Sequence, residues 1–129
     1  MNAGVVASSS TAAAGTKHVI RTDRKFTFEE LGVSEWLAQQ CLAMGIRVPT
    51  DIQRACIPPA LAPNDSNGRA RDVIGCGRTG TGKTIAFALP IIQKLACDPY
   101  GIFALVLTPT RELAFQIADQ FKALGDELL

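Results

Sequence analysis

The chain has 129 residues, of which 47% are hydrophobic, 19% charged and 6% aromatic. That is ordinary globular material with size for one domain at most. Lysine and arginine total 13 against 12 acidic residues, a net charge of +1, so any nucleic-acid binding must come from a local site and not from bulk charge.

Residues Met1 to Lys25 are dominated by Ala, Ser, Thr, Gly and Val. They carry no side chains large enough to build a core, and a disordered tail is expected over 1–25. From Phe26 the composition changes. Ser34 is placed to cap a helix running to about Met44, with Leu37, Cys41 and Met44 on one face and Gly45 as its stop. Thr50 opens a second helix, with Gln53 three residues on as a capping box requires, and Pro58-Pro59 lies ahead of it. Ala62 to Gly68 is a cluster of turn formers and reads as a surface loop.

Asp72 to Cys76 reads as a short buried strand, followed by a glycine-rich turn and a helix from about Gly82 to Ala96. Asp98-Pro99-Tyr100-Gly101 is a turn. Ile102 to Thr108 is apolar without alternation, the pattern of a strand covered on both faces. Pro109-Thr110 breaks it, and a helix from about Arg111 carries Leu113, Ile117 and Phe121 at fourfold spacing. Strand, helix, strand, helix is the rhythm of a parallel α/β sheet.

The longest apolar run, Ile102 to Leu107, is far short of the ~20 residues a helical membrane span needs, and no membrane partner is expected. The four cysteines, Cys41, Cys56, Cys76 and Cys97, form no C-x-x-C pair, and His18 is the single histidine, so no zinc site is expected. Nor does a secretory signal open the sequence. Buried thiols in a reducing, intracellular compartment are the expectation.

Gly77-Arg78-Thr79-Gly80-Thr81-Gly82-Lys83-Thr84 satisfies G-x-x-x-x-G-K-[ST] in full. Its glycines let successive backbone N–H groups aim at one phosphate, and the helix that follows adds its own unpaired N–H groups and dipole. Lys83 supplies positive charge for the β and γ phosphates, and Thr84 a hydroxyl for Mg²⁺. An apolar strand before the loop and a helical pattern after it give the motif its confirming context, so ATP or another nucleoside triphosphate is the expected ligand. The loop alone does not separate ATPase, GTPase, kinase and helicase.

Upstream lies Gly45-Ile46-Arg47-Val48-Pro49-Thr50-Asp51-Ile52-Gln53, with Phe28 further back; downstream lies Pro109-Thr110-Arg111-Glu112-Leu113-Ala114-Phe115-Gln116. In this order, with the loop between them, the motifs resemble the Q motif, Walker A loop and P-T-R-E-L-A motif of the DEAD-box RNA helicases. The resemblance covers about Phe26 to Gly125. It implies a RecA-like α/β fold, with a Q-motif region over 26–54 and a partial ATP-binding domain over 55–129. It also implies ATP with Mg²⁺ as cofactors, RNA bound through its backbone phosphates, and a monomer.

By the same resemblance Gln53 reads adenine, Thr50 supports that loop and Phe28 packs near the base. Pro109, Thr110 and Arg111 meet RNA phosphates, and Lys83 and Thr84 carry the catalytic contacts. Each residue has a plainer reading beside it. Gln53 alone is a capping-box partner, Phe28 a core aromatic, and Arg111 a solvated first-turn residue. Ile46 stands where the family usually has an aromatic, so apolar packing replaces stacking on the base. Gly77 stands where the family usually has alanine, and the 62–70 loop is longer than the usual link.

Asp98 to Phe103 before the 104–108 run resembles the subgroup acting in ribosome biogenesis on small-subunit rRNA precursors. That implies pre-ribosomal partners and the nucleolus. The family's D-E-A-D and S-A-T motifs do not occur. The chain is therefore expected to be the N-terminal piece of a longer helicase, inactive alone for lack of the acids that hold Mg²⁺ and orient water. A small P-loop kinase, or a non-catalytic product ending at Leu129, are the alternatives.

Overall fold

The computed structural model describes residues 7–9, 26–63 and 72–126. Residues 64–68 of the expected surface loop and most of the 1–25 tail lie outside them. Six elements follow in chain order: β1 (Ala7–Ser9), α1 (Glu35–Ala43), α2 (Asp51–Leu61), β2 (Val73–Gly75), α3 (Lys83–Cys97) and α4 (Arg111–Gly125), with a 3₁₀ turn at Glu29–Leu31 before α1.

Three of the four helices start where their capping residues stand. Ser34, Thr50 and Thr110 occupy N-cap positions with extended backbone, and the Thr110 hydroxyl accepts from the Leu113 N–H at 3.3 Å. Ser34 holds its place differently. Its own hydroxyl is buried without a partner, and its backbone N–H donates to Gln93 Oε1 on α3 at 2.8 Å. The Gln93 amide also donates to Gly32 O at 2.9 Å, so one side chain of α3 pins both strands of the turn that leads into α1.

α2 runs through Pro58 and Pro59 to Leu61, past the break the two prolines imply. Ile57 and Cys56 are buried on its inner face, and that packing outweighs the missing N–H groups of the last turn.

The main core joins Phe28, Leu31 and Val33 of the leading turn to Leu37 and Cys41 of α1, Ile57 of α2, Ile85, Leu89 and Ile92 of α3, and Leu124 of α4. A smaller cluster of Ile52, Cys56 and Ala86 seats α2 on β2 through Val73. Burial pushes the Cys41 thiol up to about 11, with the Glu29 carboxylate adding to the effect. Burial also raises Cys56, and neighbouring Cys76 adds to it. Cys76 and Cys97 are exposed, which corrects the expectation of four buried thiols.

Two consequences follow for thiol chemistry. Iodoacetamide at neutral pH should label Cys76 and Cys97 and spare Cys41 until the chain unfolds, as read by mass spectrometry. Because the folded Cys41 keeps its proton longer than the unfolded one, its contribution to stability is intact below about pH 9 and lost as pH rises toward about 11. Urea unfolding across that range should show the loss, and a Cys41→Ala variant should lack that component.

The sheet is where the structure departs most from the sequence pattern. β2 forms as expected, but its ladder partner among the described residues is β1, antiparallel, with Ala7 opposite Gly75 and Ser9 opposite Val73. Nothing in the Ala/Ser-rich composition points to that strand. Ile102 to Thr108, the second expected strand, joins no ladder among the described residues. Ile102 and Leu107 are 96% and 84% exposed, whereas Phe103 and Val106 turn partly toward an apolar groove of about 490 Å³ between α3 and α4. The reason is physical: a strand is defined by its neighbour, and no described segment lies beside this one to accept its hydrogen bonds. No helix among the described residues is long and apolar enough to cross a membrane.

Candidate nucleotide-binding site

Residues 76–82 form a loop between the end of β2 and the first turn of α3, exposed over 76–80 and half-buried at Thr81 and Gly82. Two glycines make its shape possible. Gly80 has φ +78° and Gly82, the residue before α3, has φ +84°, both in the left-handed region that side chains disfavour. The Thr81 hydroxyl donates to Arg78 O at 2.8 Å and closes the loop on itself. Gly77 makes room for that bond, because a Cβ built there would lie 2.9 Å from Thr81 Oγ1.

Lys83 reaches back across the loop. Its Nζ donates to Gly77 O at 2.7 Å and to Arg78 O at 2.5 Å, so the ammonium is held against the loop backbone. Those carbonyls are weak, exposed acceptors, and a phosphate competes for the ammonium with full negative charge. Thr84 follows in the first turn of α3, half-buried, which puts a hydroxyl at the helix start beside the loop. Together the loop amides, the N-terminus of a 15-residue helix and Lys83 form an anion cradle.

α2 closes the cradle from the side. The Thr50 hydroxyl donates to Thr81 O at 2.8 Å, and Gln53 Nε2 donates to Gly82 O at 3.1 Å. Gln53 Oε1 accepts from the Thr50 N–H at 2.9 Å, the return half of a capping box. Gln53 is 1% exposed, the single buried polar side chain in the described core. An amide suits the place because it donates to the loop and accepts from its own helix start at once. Beside capping its own helix, Gln53 thus holds the loop, a use that its spacing from Thr50 does not announce.

The remaining candidates fall in different settings. Phe28 is 2% exposed inside the main core and not on the open loop. Ile46 is partly buried and packs against the same core. Thr79 is exposed at the tip of the loop. Thr110 caps α4 as described, Pro109 precedes it, and the Arg111 guanidinium lies over the Phe115 ring at 5.6 Å. Gln93 and Phe115 were not singled out by motif: one shows itself only through distant backbone partners, the other only through its neighbour.

The family model "DEAD/DEAH box helicase" matches residues 50–129, more than half of the chain, from Thr50 through the cradle and α4. The chain belongs to the DEAD/DEAH box helicase family. Among relatives, "Probable ATP-dependent RNA helicase DDX49" of Homo sapiens is 57% identical over 101 residues, covering 78% of this chain and 20% of that protein. "DEAD-box ATP-dependent RNA helicase 36" of Arabidopsis thaliana is 58% identical over 98 residues, covering 76% and 18%. The chain thus spans about a fifth of the length of the curated relatives it matches.

Among solved structures, the RNA-helicase Prp28 from Chaetomium thermophilum bound to ADP aligns with a TM-score of 0.70 at 34% identity, over 97% of this chain and 28% of that one. A DEAD box protein from Methanococcus jannaschii aligns with a TM-score of 0.62 at 36% identity, over 78% and 26%. The fold is therefore the RecA-like α/β fold of these helicase domains, of which this DEAD-box chain holds the helices around the P-loop and little of the sheet.

Proposed function

We propose that the protein carrying this chain is an ATP-dependent RNA helicase, coupling ATP binding and hydrolysis to the opening of RNA duplexes. The observation that carries the proposal is the cradle held shut by α2. Lys83 is poised over the loop, and Thr50 and Gln53 bond to the two residues just before it. The ADP bound in the Prp28 structure agrees with a nucleotide here.

In this reading Lys83 meets the β and γ phosphates. The Thr84 hydroxyl, at the helix start beside them, holds the Mg²⁺ that neutralises their charge. Gln53 reads adenine by exchanging its bond to Gly82 O for one to the base, so occupancy is felt directly by the loop. Pro109, Thr110 and Arg111 contact RNA phosphates at the start of α4. The 98–103 segment and its subgroup resemblance support small-subunit rRNA precursors as substrates, pre-ribosomal particles as partners and the nucleolus as the address.

RNA-dependent hydrolysis by the natural protein, with ATP preferred over GTP, is the expected result. GTP preference or RNA-independent turnover would favour another P-loop NTPase. The 129-residue chain alone should bind a fluorescent ATP analogue without turning ATP over. Turnover well above background would overturn the reading that the missing acids are needed.

A further inference from the structure

Phe115 is 60% exposed, one helical turn after Arg111 on α4, while Ile117 of the same helix is buried. Burial is not what this ring is for. Its face lies 5.6 Å from the Arg111 guanidinium carbon, and that contact is the only one the guanidinium makes among the described residues. Among the described residues no carboxylate pairs with it, although Glu112 and Asp119 belong to the same helix. A guanidinium held over an aromatic face spends none of its N–H donors on a conventional acceptor. It is therefore held in place while still free to grip a phosphate in bidentate fashion.

We propose that Phe115 is a positioning residue for Arg111, holding its fork in the orientation that receives an RNA phosphate at the start of α4. The inference rests on the reading of Arg111 as a phosphate contact. Held by the ring, Arg111 loses less side-chain freedom when RNA binds, and the gain appears as affinity. It is independent of base identity, because the ring acts on the arginine and not on a base.

The test is a double-mutant cycle on the full chain with a short labelled single-stranded oligouridylate, read by fluorescence anisotropy. Phe115→Leu keeps an apolar side chain of similar bulk but removes the π face. It should weaken RNA binding roughly threefold to fivefold, the worth of an exposed cation–π pair, and Phe115→Tyr should restore it. In an Arg111→Ala background the same Phe115→Leu change should have no further effect. Arg111→Ala should also flatten the dependence of binding on salt by about the share of one phosphate contact, whereas Phe115→Leu leaves that slope unchanged.

Equal losses from Phe115→Leu with and without Arg111 would mean that the ring touches RNA itself or acts on the fold, and would overturn the proposal. So would no loss with Arg111 present. Unaltered binding in Arg111→Ala, or no binding by the wild-type chain, would remove the phosphate reading of Arg111 and the role of Phe115 with it.

Discussion

Gly82→Ala should destabilise the chain and remove nucleotide binding together. A Cβ at this position would lie 2.4 Å from Gln53 Nε2 and 3.4 Å from Thr50 Oγ1, and the backbone holds φ +84°, which costs an alanine about 1–2 kcal/mol. Gln53 cannot retreat easily, because it is fully buried and its other end is bonded to Thr50. The clash is relieved by pushing α2 from the loop, which breaks the Gln53 bond to Gly82 O and the Thr50 bond to Thr81 O. Orphaning a buried amide costs a further ~1–3 kcal/mol. A loss of about 2–5 kcal/mol in urea unfolding is expected, along with ATP-analogue binding too weak to titrate. Wild-type stability with normal binding would show that α2 does not hold the loop.

Lys83→Ala should separate those two effects. In the absence of nucleotide the ammonium bonds only to exposed loop carbonyls at Gly77 and Arg78, which water can satisfy once the side chain is gone. Stability should therefore change by less than about 0.5 kcal/mol, the scale of a surface substitution. Binding loses charge-assisted contacts worth about 1.5–3 kcal/mol, so ATP-analogue affinity should fall roughly tenfold to a hundredfold. Calorimetric titration of the chain, with its unfolding curve beside it, checks both halves. An equal drop in stability would mean that Lys83 also braces the empty loop.

Much of the site could be read from the sequence because its determinants are local. The P-loop glycines, Lys83, Thr84 and the threonine caps at 50 and 110 act over one or two turns, and each is found where its spacing places it. Gln53 shows the limit of that reading. Its spacing from Thr50 fixed the capping bond, but the bond to Gly82 joins positions 29 apart and has no signature in the chain. Gln93 is the same case at larger separation.

The sheet was least legible, for a related reason. Ile102 to Thr108 has every local mark of a strand, yet strand formation depends on a neighbour that local sequence does not name. β1 is the converse, three small residues paired because β2 offers them an open ladder edge. Pro58 and Pro59 mislead in a third way, since a helix anchored by Cys56 and Ile57 tolerates them in its last turn.

The unpaired 102–107 run also bears on how the chain behaves in company. It presents a row of unused N–H and C=O groups flanked by outward Ile102, Leu105 and Leu107, with no charge or proline inside the run to blunt it. Six apolar residues, with the strand formers Ile102, Phe103 and Val106 among them and no ladder partner among the described residues, make a template for the same run of another molecule. Contact between copies of the chain is therefore expected at a segment that takes no part in the anion cradle, and light scattering that rises with protein concentration is the measurement that checks it.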